Sequence, residues 1–241
     1  MSRLPNAPLV EVIFEMKWKI SGRPDLETFQ YLHGDLYNEL KEKFKFRENL
    51  VPLDVPVELM ANNTVFRYRR EKKGYPLYQI GPGLLSVNVT DEKYDWVEFL
   101  AEINTVIDAF VAVYPDASKL EFTPSLAYID FFPLDTNKDS PMDFLNKNFN
   151  FGVHQSFLPG EGGSDDMRLF LKYRLNEDNF VLDYRYGRLA TDTGLIMETK
   201  IMGPKDQYSR QSLTMWVENS HGQLRTIFKR ITKKEFYETF K

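Results

Sequence analysis

The sequence predicts an α+β fold of two similar halves, with antiparallel sheet covered by helices on one face. Three observations carry that expectation. Residues 8–20 alternate: Val10, Val12, Phe14, Met16, Trp18 and Ile20 share one parity, and Glu11, Glu15, Lys17 and Lys19 share the other with Ile13. Successive strand side chains point to opposite faces, so this segment reads as a strand with one buried and one wet side. Long segments with apolar residues at steps of three and four follow, which is the helical period. The order strand, helix, several strands, long helix then occurs twice, over 1–116 and 117–241, with the seam near 115–119. No flexible linker divides the halves, so they are expected to pack as one unit.

In chain order, Pro24 suits the first turn of a helix over 24–44, with Leu26, Phe29, Leu32, Leu36, Leu40 and Phe44 as its stripe. A short strand is expected at 57–60. Segments 64–70 and 75–80 read as hairpin arms, and Gly81-Pro82-Gly83 suits a type II turn into a strand over 84–90. Asp91 is the expected cap of a helix to Tyr114, with Trp96, Leu100, Ile103, Ile107 and Phe110 in its stripe. That helix stops before Pro115. A long strand over 120–132, a helix opened by Ser140-Pro141, and strands at 167–175, 180–187 and 195–202 follow. A last long helix covers 213–230, and Thr232 with Glu235 reads as a capping box for a short terminal helix.

The chain has 241 residues and a formal net charge of −4. At that size roughly 70% of the unfolded surface is buried on folding, so neither a disulfide nor a metal is needed for stability. The absence of cysteine excludes thiol catalysis and thiolate metal sites. Mild acidity argues against generic polyanion binding but leaves room for a local basic stripe. No segment resembles an export signal or a membrane span, which predicts a cytoplasmic protein with no membrane partner.

Several stretches resemble a sporadically distributed, uncharacterised bacterial family of about this length. They are the opening Arg3-Leu4-Pro5-Asn6-Ala7-Pro8-Leu9-Val10-Glu11-Val12 and the central Gln79-Ile80-Gly81-Pro82-Gly83 with Val87-Asn88, Tyr94, Trp96 and Phe99. Leu126 to Asp130 is similar to a second signature, which more often ends in Asn. Trp216, Glu218, His221, Phe228 and Ile231-Thr232 resemble the closing helix. The resemblance implies no particular activity; the family's patchy distribution is of the kind seen in mobile-element or phage-defence neighbourhoods.

Few residues suggest chemistry. His33, His154 and His221 have no metal-motif spacing. His221 sits in a helix beside Gly222, where glycine is explained by close packing on the sheet and the histidine by a bond to a strand carbonyl; the sharper reading is a ligand site. Asp130 falls on the presumed core parity of its strand with Tyr128, so it is either a buried carboxylate with partners or an exposed one displaced by a bulge at Pro124. Asp130, His221 and Tyr128 are therefore the candidate ligand-binding group. Arg67, Arg69, Arg70, Lys72 and Lys73, interleaved with Phe66, Tyr68 and Tyr75, are the candidate nucleic-acid group, against the plainer role of a charged hairpin that resists aggregation. Arg225, Lys229, Arg230, Lys233 and Lys234 complement a helix C-terminus. The Gly-rich acidic loop 159–166 lacks the lysine of a phosphate loop and reads as a tip. No catalytic residue, metal or cofactor is expected. The expected function is non-catalytic binding or regulation, with a protein partner or self-association; nucleic-acid binding through 66–75 and an enzyme or ligand pocket near Asp130 and His221 are the alternatives.

Overall fold

The alternation of the first strand appears directly as burial. In the computed structural model, which describes residues 4–52, 55–115, 117–156 and 166–241, Val12, Phe14, Met16 and Trp18 of β1 (Leu9–Trp18) are buried and the residues between them are partly exposed. The remaining elements are α1 (Arg23–Leu40), β2 (Phe46–Asn49), β3 (Phe66–Arg69), β4 (Leu77–Gly81), β5 (Leu84–Thr90), α2 (Trp96–Val113), β6 (Phe122–Pro133), α3 (Pro141–Asn148), β7 (Arg168–Leu175), β8 (Asp178–Leu189), β9 (Asp192–Met202), α4 (Arg210–Ile231) and α5 (Lys234–Glu238). The strands form an antiparallel sheet of nine in the order β2-β3-β4-β5-β1-β6-β9-β8-β7. The α+β class is as expected.

Two compact units share the chain. The larger comprises Glu11–Leu126 and Met202–Asn219; the smaller comprises Met1–Val10, Ala127–Ile201 and Ser220–Lys241. In the larger unit, α1 and α2 cover one sheet face. Trp18 meets Phe110 at 5.1 Å between ring centroids, Phe44 stacks on Tyr78 at 4.1 Å, and Tyr68 donates to the His33 carbonyl at 2.6 Å. Gly81 allows the chain to pass Asn63: a Cβ there would lie 1.7 Å from the Asn63 carbonyl oxygen. Gly83 has φ +79, as the expected type II turn requires. In the smaller unit, Phe132 lies 5.4 Å from Phe149 and 5.5 Å from Phe236, and Tyr184 lies 5.4 Å from Phe149, so its core is an aromatic cluster.

Local expectations fail where short-range bonds win. Residues 57–60 form a 3-10 turn, not a strand; Leu59 N donates to the Pro56 carbonyl at 3.0 Å, so the backbone is satisfied locally. The strand β2, with little apolar content, arises through pairing with β3. The α2 cap is Asp95, whose carboxylate accepts from Val97 N at 2.9 Å and Glu98 N at 3.0 Å, after a separate turn at Asp91–Lys93. Its buried stripe is consequently Phe99, Ile103, Val106, Ile107 and Phe110, and Trp96 and Leu100 are only half-buried. Thr232 forms no capping box: its hydroxyl donates back to the Phe228 carbonyl at 2.8 Å. Most of the loop 159–166 lies outside the described residues.

Candidate functional site

The face of the larger unit's sheet away from α1 and α2 carries an ordered polar row. Residues directly opposite in antiparallel strands share a face. The register places Glu48 opposite Arg67, Arg67 opposite Gln79, Gln79 opposite Ser86 and Ser86 opposite Glu15. One polar residue from each of β2, β3, β4, β5 and β1 therefore lines up across the strands. Arg67 Nε donates to Gln79 Oε1 at 2.9 Å, and Gln79 Nε2 to Ser86 Oγ at 3.2 Å and Asn88 Oδ1 at 3.1 Å. Ser86 donates to Asn88 Oδ1 at 3.0 Å, and Asn88 Nδ2 to Glu11 Oε1 at 2.9 Å. Ser86 and Asn88 are buried beneath longer neighbours, and Arg67, Gln79, Glu11 and Glu15 are partly exposed. Each member fixes the next, so the row presents polar atoms in set positions. The sequence showed the wet parity of β1; it hinted at the rest only through the alternation Leu85, Ser86, Val87, Asn88, Val89.

The candidate nucleic-acid group separates. Arg67 belongs to the polar row. Arg69 is 8% exposed, donates to the Gly74 carbonyl at 2.8 Å, faces Glu48 and lies over the Tyr75 ring. Arg70 pairs with Glu102, which also accepts from Tyr78, and sits over Phe44. Lys72 and Lys73 are exposed at the turn. The cause is topology: β3 is an interior strand, flanked by β2 and β4, so its arginines find partners within the fold.

Tyr128 and His221, from β6 and α4, do meet: Tyr128 Oη lies 2.6 Å from His221 Nδ1. Burial, then the nearby Arg225 charge, pulls the His221 pKa down to about 4, so the imidazole is neutral at pH 7. An acid-base group with that pKa is poorly matched to proton transfer at neutral pH, whereas a neutral imidazole with a phenol is a good donor–acceptor pair for a polar ligand. Asp130 is buried, 4% exposed, and not the exposed carboxylate a bulge would give. The expected packing role of Gly222 is corrected: a Cβ there would meet nothing within 4 Å. A hollow of about 410 Å³ in the smaller unit is walled by Asn6, Pro8, Phe131, Phe144, Phe236 and Phe240 among others; Tyr128, Asp130 and His221 do not line it.

His33 forms a second, half-buried histidine site. Its Nδ1 lies 2.7 Å from Arg47 Nη2 and its ring stacks on Phe66 at 4.2 Å. Burial, then the Arg47 charge, lowers its pKa to about 4. Among the described residues, no cluster of three or more His, Asp or Glu could hold a metal ion, and no helix is long and apolar enough to cross a membrane.

Fold and site together define an α+β protein with a mixed helix-and-antiparallel-sheet body and a preorganised polar sheet face. No family model, curated protein or solved structure matches the chain.

Proposed function

We propose that the chain is a non-catalytic binding or regulatory protein whose recognition surface is the polar sheet face of the larger unit. The hydrogen-bonded row Arg67–Gln79–Ser86–Asn88–Glu11 carries this reading. A row of fixed donors and acceptors loses little side-chain entropy when a partner docks, which favours recognition. The resemblance to the sporadic bacterial family, the internal duplication over 1–116 and 117–241, a cytoplasmic location and a mobile-element or defence setting belong to the same reading. Nucleic-acid binding through 66–75 is weaker, since Arg69 and Arg70 already have partners inside the fold. A second reading, a polar ligand held by Tyr128 and His221 with Asp130 nearby, is favoured by the 2.6 Å contact between them.

Native mass spectrometry of the purified chain, with its absorbance ratio at 260 and 280 nm, tests the choice. Retention of a protein partner that an Arg67→Ala/Gln79→Ala variant of unchanged circular dichroism releases is the expected result. A partner that the variant retains equally overturns the assignment of the surface. A bound small molecule lost on Tyr128→Phe or His221→Gln transfers the function to the second reading, and co-purifying nucleic acid transfers it to the basic hairpin.

A further inference from the structure

The strand β7 ends the sheet, with β8 as its one neighbour in the strand order. It pairs with β8 from Arg168↔Arg185 to Leu175↔Asp178, across a two-residue turn in which Asn176 has φ +55. Tyr186 N donates to the Met167 carbonyl at 2.9 Å, which makes 167 and 186 a hydrogen-bonded pair of this ladder. Such pairs alternate along an antiparallel ladder. The odd residues 169, 171, 173 and 175 therefore bond to β8, and the backbone N–H and C=O groups of Arg168, Phe170, Lys172 and Arg174 point outward. An edge of this kind is a template for a further strand.

The side chains along the edge determine what that strand must be. Phe170 is 57% exposed and stands on the same face as Arg168, Lys172 and Arg174. Across from them on β8 lie Asp183 and Arg185. Asp183 is consumed within this face: Arg168 donates to it at 3.0 and 2.9 Å and Arg185 at 3.0 Å. Arg168 and Arg185 thus take up Asp183, the charge of Glu198 also acts on Arg168, and Lys172 and Arg174 are exposed with no ion pair to a described residue. The opposite face of β7 offers Leu169, Leu171 and Tyr173, the last 50% exposed. A second copy of the chain is a poor occupant: residues opposite each other in an antiparallel pair share a face, so β7 against β7 would oppose cation to cation.

We infer that the outer edge of β7 takes up an extended peptide segment of a partner, alternating acidic and apolar residues, as an added strand of the sheet. Its acidic side chains lie against Lys172, Arg174 and Arg168, and its apolar ones against Leu171 and Tyr173. This partner class rests on the reading of the chain as a binding protein but uses a surface separate from the polar row of β3, β4 and β5.

The test is fluorescence anisotropy of the full chain with a labelled Glu-Val octapeptide, a Lys-Val octapeptide, the Glu-Val peptide N-methylated at alternate residues, and an oligo-dT strand. Saturable binding of the Glu-Val peptide alone is expected. N-methylation leaves the charge but removes ladder donors, and is expected to weaken binding at least about tenfold. Lys172→Glu with Arg174→Glu should weaken it by a similar factor, as should Lys172→Pro, which deletes an outward N–H without touching the β8 ladder. Binding insensitive to N-methylation, binding stronger to oligo-dT, or no saturation in any arm overturns the inference. None of those outcomes alters a partner interaction lost on Arg67→Ala/Gln79→Ala, so this proposal and the polar-row reading fail separately.

Discussion

Two arginine-bearing hairpins show how much position in a sheet decides. The β3–β4 hairpin is the most basic stretch of the sequence, and its arginines are engaged within the fold: Arg69 is buried against Gly74 and Glu48, and Arg70, though exposed, is paired with Glu102. The β7–β8 hairpin is less conspicuous, and its cations lie on an open edge around Phe170. An interior strand has neighbours on both sides, so its polar side chains find partners; a terminal strand keeps half its surroundings as solvent. Charge density along a sequence is therefore not the same as charge available to a partner.

The comparison can be broken first at glycine. Gly81→Ala in β4 drives a Cβ into the Asn63 carbonyl and should cost about 3 kcal/mol or more, whereas Gly187→Ala in β8 meets only the flexible end of Ile196, 3.1 Å away, and should cost under about 1 kcal/mol. Urea unfolding midpoints of the two variants measure this, and equal losses would remove the distinction between a crowded and a yielding hairpin.

The arginines come next. Arg69→Ala should lose about 2 kcal/mol, since a buried charged donor and its packed stem are removed, while Arg174→Ala should stay within about 0.5 kcal/mol. Similar unfolding curves for both would contradict the absorbed-versus-available contrast.

Two buried tyrosines sharpen it further. Tyr78 donates to the Glu102 carbonyl at 3.2 Å and to its carboxylate, and burial followed by the Glu102 charge raises its pKa above the ordinary phenol range. Tyr184 is as buried, yet its hydroxyl has no hydrogen-bond partner among the described residues. Tyr78→Phe should cost about 1 kcal/mol and Tyr184→Phe should be neutral or slightly stabilising, as thermal midpoints will show.

The smallest effect concerns pH. His33 and His221 both titrate near 4 when folded, against 6.5 for an unperturbed imidazole. Between those values the unfolded chain holds the extra proton, so the stability these sites contribute is complete above about pH 6.5 and is lost as pH falls toward about 4. Both rings are partly exposed, which moderates the effect. His33→Gln and His221→Gln should each flatten the decline in unfolding midpoint between pH 7 and pH 4.5; an unchanged slope in both would show that the rings do not differ between folded and unfolded chain.

Much of this molecule was legible residue by residue. The alternation of Val12, Phe14, Met16 and Trp18, the stripe of α1, the bounds of β5 and the Ser140-Pro141 start of α3 follow from periods and turn chemistry that act within a few residues. The meeting of Tyr128 with His221 was half legible: both were singled out, but 93 positions separate them, and only packing of α4 on β6 joins them. The α2 cap lies four residues later than expected, after a 3-10 turn at Asp91–Lys93, where the Asp95 carboxylate accepts from Val97 N and Glu98 N.

By itself, then, the sequence determined most of the strands and helices, though neither β2 nor the turn at 57–60, and which side of most of them is apolar, because those are local matters of sterics and period. Tertiary structure alone decided that β3 lies inside the sheet and β7 at its end, that Glu48, Arg67, Gln79, Ser86 and Glu15 line up in one row, and that Gly222 faces open space. Strand order and register are set by which buried faces fit together over long separations in the chain, and no single segment contains that information.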